Sequence, residues 1–246
     1  EVKYPNLFKP IYQIENQYSK KQGSIFARFV YPKAIGKYIA LCEGDDYWID
    51  PLKLQEQVDF LEANPEYSMC FHNAEVLYDN QASNHIFNKI KKSRKITLKE
   101  IIQDWIIPTA SIVIKKDSIK NPEWASKIYS GDMILSLMAI KEGEIYFISE
   151  IMSVYRKSYN NDSISSKMKD KTEYTLLQYI KILEYYNIEI DFLHYKVLHK
   201  EIKYRLMILK YLKSKKQTSK IIALFLNPCY MLNNILRKLS KHLYWK

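Results

Sequence analysis

Gly36-Lys37-Tyr38-Ile39-Ala40-Leu41-Cys42-Glu43-Gly44-Asp45-Asp46-Tyr47-Trp48 is the stretch whose reading decides the fold. Residues 37–42 form a short apolar run entered from a glycine turn, which reads as a buried strand. That strand delivers three carboxylates, Glu43, Asp45 and Asp46, to its C-terminal end, where ligand sites of open α/β sheets form. Carboxylates packed this closely repel one another unless something positive stands among them. Two readings follow: a solvated acidic turn, or a site for a hard divalent ion of the Mg²⁺ or Mn²⁺ kind, which takes oxygen ligands and reaches its site through few protein carboxylates plus substrate phosphates.

Working outward, residues 24–34 read as a helix feeding the turn at Gly36. On the other side, Asp50-Pro51 has the chemistry of a helix start, Asp as N-cap and Pro at the first helical position. The helix is expected to continue through Leu52, Leu54, Val58 and Leu61 and to stop at Asn64-Pro65. Residues 68–73 and 75–78 read as strands and 79–95 as a polar, basic loop. Further on, a short helix is expected over 98–105, a strand over 111–114 and a helix from Gly131-Asp132 to Lys141. Two strands, 144–148 and 152–156, close this part. Such alternation predicts an α/β layer fold.

All five glycines lie before position 144, and from about Asp170 onward the pattern is helical and basic. The chain of 246 residues therefore divides into an α/β core over 1–165 and a basic helical region over 166–246. Its 47% hydrophobic content suffices for a buried core. The surplus of 38 basic over 27 acidic residues, a net charge of +11, points to an anionic partner: nucleotide diphosphate, anionic lipid or nucleic acid. Nucleic acid is the least expected, since helix-turn-helix, RNP and zinc patterns are missing. Three scattered cysteines, Cys42, Cys70 and Cys229, suggest neither a zinc site nor a disulfide framework and fit a reducing cytoplasm.

The run from Gly36 to Gln55 resembles the central segment of family 2 glycosyltransferases, which have the GT-A fold. That family reads G-x-Y-I-x-x-x-D-x-D-D followed by a D-P-x-K-L-x-x-Q helix. The resemblance spans residues 15–160. It implies a GT-A-like mixed sheet, an inverting transfer of sugar from a nucleotide-diphosphate donor, and a Mn²⁺ or Mg²⁺ cofactor. It assigns metal and donor contacts to Glu43, Asp45 and Asp46, with Glu43 replacing the family's usual first Asp. Asp132, in Gly131-Asp132-Met133-Ile134-Leu135, falls where the family carries an acidic pair at a helix start, which makes it the catalytic base; capping its own helix is the alternative role. Thr109 and Ser111 fall beside the family's acceptor pocket, and Trp105 and Trp124 are aromatics for core packing or sugar stacking.

Ser153-Val154-Tyr155-Arg156 resembles the family's V-Y-R segment, with Ser158 where a His is common. Arg156 is thus a candidate diphosphate contact, or a surface ion pair. His72, on an apolar stretch, is expected to be a hydrogen-bonded core residue. The family's first two strands, which hold the base and ribose of the donor, have no counterpart here, so the expectation is of an N-terminally truncated core. An inactive remnant or binding module is the alternative to an active enzyme.

The implied acceptor is a glycan or lipid-linked glycan in bacterial surface polysaccharide synthesis. Amphipathic basic stretches in residues 170–246, including Lys210 to Lys220 and Ile235 to Leu243, would suit an anionic membrane surface at the cytoplasmic face, or a helical cap on the core.

Overall fold

The computed structural model describes residue 3 and residues 7–17, 24–78, 81–128, 131–157 and 172–214. The calls on Ser158, on residues 215–220 and on the stretches beyond lie outside the described residues.

The fold is mixed α/β, a curled mixed sheet with helices on both faces. Seven strands, β1 (Tyr38–Ala40), β2 (Tyr47–Trp48), β3 (Tyr67–Tyr78), β4 (Gln81–Ile86), β5 (Arg94–Ile96), β6 (Val113–Lys115) and β7 (Glu144–Lys157), form the sheet. Its main order is β1-β6-β3-β7-β2. The two long strands β3 and β7 run parallel down its centre, and every other pairing is antiparallel.

Each long strand changes its outer neighbour halfway. β3 pairs with β6 through Met69 and Cys70, then with β4 through Glu75, Val76 and Tyr78. β7 pairs with β5 through Ile145 to Phe147, then with β2 through Ser153 and Val154. The change coincides with register shifts at His72/Asn73 and Asn73/Ala74. Such bulges break the ladder and bend the strand, leaving main-chain groups to be satisfied otherwise. Asn73 meets that need: its side-chain oxygen accepts from Ala74 N (3.0 Å) and Asn88 N (2.9 Å), and its Nδ2 donates to Asn88 O (3.0 Å).

Among the described residues five helices flank the sheet: α1 (Lys53–Ala63), α2 (Leu98–Gln103), α3 (Gly131–Glu142), α4 (Thr172–Glu189) and α5 (Tyr195–Ser214). Period-two alternation divides the strand residues between two cores. Met69, Phe71, Ile114, Ile145 and Phe147 face α2–α5, whereas Cys70, Val113 and Ile148 face Leu61 of α1. Ile182, Leu183, Tyr186 and Leu198 from α4 and α5 belong to the first of these cores. Arg205, ion-paired with Glu201 in the interior, also donates to Ile102 O (2.6 Å). The described part of the C-terminal region thus shares the core of the α/β part.

Several local expectations are corrected. The breaks expected at 74 and 149–151 are bends within single strands, because the β3–β7 ladder passes through register shifts there. The expected loop over 79–95 contains β4 and β5; strands held by main-chain bonds need no apolar run of their own. Residues 26–30 wind as a wide π-type turn followed by a 3₁₀ turn at Tyr31–Lys33. α1 starts at Lys53, two residues after Pro51, with Asp50 Oδ1 accepting from Leu52 N (2.7 Å) ahead of it. Its buried face is Lys53, Gln57 and Leu61, while Leu52 and Leu54 are exposed.

Asn73→Ala leaves three main-chain partners, Ala74 N, Asn88 N and Asn88 O, without the Asn73 side chain. Urea unfolding of the variant is expected to show a loss of about 2–4 kcal/mol at unchanged m-value.

Candidate functional site

β1 leads into the carboxylate turn, fastened by Leu41 N to Ile112 O (3.1 Å) and closed by Asp46 N to Glu43 O (3.0 Å). The second half of β7 docks against it. Arg156 N–H donates to Asp46 Oδ1 (2.9 Å), and Arg156 Nε donates to the Asp45 carbonyl. The guanidinium expected to meet a diphosphate therefore also latches the turn to the sheet, and its surface remains exposed.

The three acids occupy different environments. Asp45 faces solvent, Glu43 is half-buried and Asp46 is buried. Asp46 Oδ2 lies inside the protein without a hydrogen-bond partner. Burial, against the opposing Arg156 N–H and with the Asp45 charge adding, pushes the Asp46 carboxyl up to about 6. Burial, then the charges of Asp132, Asp46 and Asp45, pushes Glu43 up to about 7.

Asp132 stands in the first turn of α3, far from Glu43 in sequence yet close enough to raise its pKa. Its surface is open to solvent, yet the surrounding protein desolvates the carboxyl and raises its pKa. The Tyr31 phenol belongs to the same neighbourhood: burial and then Asp132 push it up to about 12. Thr109 Oγ1, buried without a well-formed hydrogen bond, lies near Glu43, where it favours the charged carboxylate. The adjacent candidate Ser111 is committed, its hydroxyl donating to Pro108 O (2.6 Å). The fold thus brings together Glu43, Asp45, Asp46, Arg156, Thr109 and Asp132.

Two groups escaped the sequence reading. Lys53 is buried, its Nζ donating to Gln57 Oε1 (2.8 Å) and lying 4.4 Å from the centroid of the Trp48 ring; burial pushes it down to about 8. Gln57 Nε2 continues to Ser111 O (2.9 Å), and Trp48 Nε1 donates to Ala110 O (2.8 Å). This chain of contacts ties α1 and β2 to the 3₁₀ turn Thr109–Ser111, and the D-P-x-K-L-x-x-Q spacing was the signal for it. Arg28, whose Nη1 is buried without a partner, is the second.

Trp105 is half-exposed, its ring held edge-on by Phe87 (5.5 Å) and Tyr155 (5.9 Å). Trp124 instead stacks on Tyr185 and donates to Glu189. His72 is fully buried, its Nδ1–H donating to Asn73 O (2.7 Å) and its pKa pushed down to about 3 by burial: a neutral core residue.

Among the described residues, no three His, Cys, Asp or Glu groups already converge as a cation site. The donor set nonetheless fits a hard divalent ion, because its groups are carboxylates and Asp46 Oδ2 is an orphaned buried oxygen.

No family model matches the chain. It is similar to uncharacterized proteins of Mycobacterium tuberculosis and Mycobacterium bovis, 34% identical over 158 residues. The match covers 63% of this chain and 44% of theirs, so the chain spans less than half the length of the curated relatives it matches.

The raised carboxyls make a stability prediction. Asp46 holds its proton more tightly when folded than when unfolded, so its contribution favours the fold below about pH 4 and is lost as pH rises through about 6. Asp46→Asn keeps the acceptor for Arg156 N–H and removes the charge. In the presence of chelator its stability relative to the parent should rise between about pH 4 and 7, reaching roughly 1–3 kcal/mol, as read by thermal melts across pH.

Proposed function

We propose that this chain carries the catalytic centre of an inverting, divalent-cation-dependent glycosyltransferase with a GT-A-like core, taking sugar from a nucleotide-diphosphate donor to a glycan or lipid-linked acceptor. The observation that carries the reading is that Asp132, far from Glu43 in sequence, stands close enough for its charge to act on Glu43 beside the Arg156-latched turn.

In this reading Asp132 is the base. It accepts the proton of the acceptor hydroxyl as that oxygen bonds to the anomeric carbon and the bond from that carbon to the diphosphate breaks. Burial raises its pKa, which suits a carboxylate that must take up this proton. Asp45 and Asp46, with Glu43, would hold a Mg²⁺ or Mn²⁺ ion, which when bound supplies positive charge for the diphosphate leaving group. The exposed Arg156 guanidinium adds positive charge on the same side, and its bond to the Asp45 carbonyl keeps the turn from recoiling under mutual repulsion. Thr109 Oγ1, buried beside Glu43, favours the charged form of that carboxylate. The half-exposed Trp105 offers an apolar ring face to an acceptor sugar.

A binding module of the same kind is the second reading. It is favoured by β1, which pairs only with β6 and so leaves one strand edge unpaired among the described residues.

Asp132→Asn is expected to lower transfer or hydrolysis of the nucleotide-sugar by at least about a hundredfold with little change in donor binding. Asp45→Asn and Asp46→Asn should instead weaken Mn²⁺-dependent donor binding in calorimetry. Full activity in all three variants would refute the assignment, and donor binding without turnover in the parent protein would favour the binding module.

A further inference from the structure

α4 ends in a turn that carries an apolar tip into solvent. Ile188 is 61% exposed, Phe192 55%, Leu193 76% and Tyr195 47%. The turn is built by main-chain bonds, Asp191 N to Ile188 O (3.0 Å), Phe192 N to Asn187 O (2.9 Å) and Leu193 N to Ile190 O (3.0 Å). Its backbone is left-handed at Asp191 (φ 48°) and Phe192 (φ 60°). Helix ends of this kind favour glycine, and a bulky aromatic there is strained. Phe192 therefore adds nothing to the fold that glycine would not supply better, and its ring lies outside the core, 6.4 Å from the Tyr195 ring.

The helix that leaves this tip is cationic. Lys196, Lys200, Lys203, Lys210 and Lys213 of α5 are all exposed. The one acid of α5, Glu201, is buried against Arg205. At helical spacing Lys196, Lys200, Lys203 and Lys210 share one stripe. Among the described residues acidic groups near the tip are few: Glu189 is ion-paired with Lys141, leaving Asp191 and, one turn further back on α4, Glu184. A protruding apolar wedge continuous with a lysine stripe matches the two layers of an anionic bilayer surface, acyl boundary and headgroups. Among the described residues no helix is long and apolar enough to cross a membrane, so contact through this element would be interfacial.

We propose that the α4–α5 tip and the lysine face of α5 dock this protein on an anionic lipid surface, with Phe192, Leu193 and Tyr195 entering the headgroup–acyl boundary. Charge complementarity favours a bilayer over a second copy, since two such lysine faces would repel. The proposal stands independently of the transferase reading.

Vesicle co-sedimentation tests it, with phosphatidylcholine–phosphatidylglycerol vesicles against phosphatidylcholine alone. The intact chain should bind the anionic vesicles and lose binding as salt rises. Phe192→Asn with Leu193→Asp should weaken partitioning about tenfold at unchanged helicity and melting temperature, asparagine being compatible with the left-handed backbone. Lys196→Glu with Lys200→Glu should remove most of the salt-dependent part. In Leu193→Trp, fluorescence should be quenched by brominated lipid. Full vesicle binding by the tip variant, as residues 215–246 acting alone would give, overturns the proposal. So does absence of binding by the intact chain, or a self-association that Leu193→Asp abolishes.

Discussion

The parallel pairing of β3 with β7, bent at Asn73, is the constraint on which the site depends. Before the bend the two strands carry the apolar core against α2–α5. After it they exchange their outer partners for β4 and β2, and β7 reaches the carboxylate turn with its backbone free to donate from Arg156 to Asp46. A straight ladder would direct residues 153–157 elsewhere. The Asn73 side chain makes the bend affordable by taking over the main-chain groups that the bulge releases.

Around that frame the site is held in tension. Asp46 is buried with one oxygen bonded and the other orphaned, and Glu43 is raised to about 7 by burial and by three neighbouring acids. Neither arrangement by itself stabilises the fold. The opposing forces are local: Arg156 on both Asp45 and Asp46, and the Lys53–Gln57–Trp48 contacts that hold the Thr109–Ser111 turn in place. Lys53 places a buried cation close enough to act on Cys42, at the start of the acidic turn, and bonds Gln57 rather than a carboxylate.

Much of this was legible in the residues. The apolar run before Glu43, the helix from Gly131 and the acids themselves were readable because buried strands and helix starts have local signatures. The continuity of β3 and β7 was not, since a bulge filled by Asn73 reads locally as a break. The polar buried face of α1 was equally hidden: Leu52 and Leu54 imitate an apolar stripe, while Lys53 and Gln57 reach the interior by satisfying each other.

By itself the sequence determined the mixed α/β class, the clustering of carboxylates on one turn and the basic character of the C-terminal helices, all properties of neighbours along the chain. Only the tertiary structure decided which distant groups share a space: Asp132 beside Glu43, Arg156 on the turn, Thr109 facing the acids, and Phe192 and Leu193 left outside the core. Burial and long-range electrostatics depend on that packing, and no local pattern encodes them.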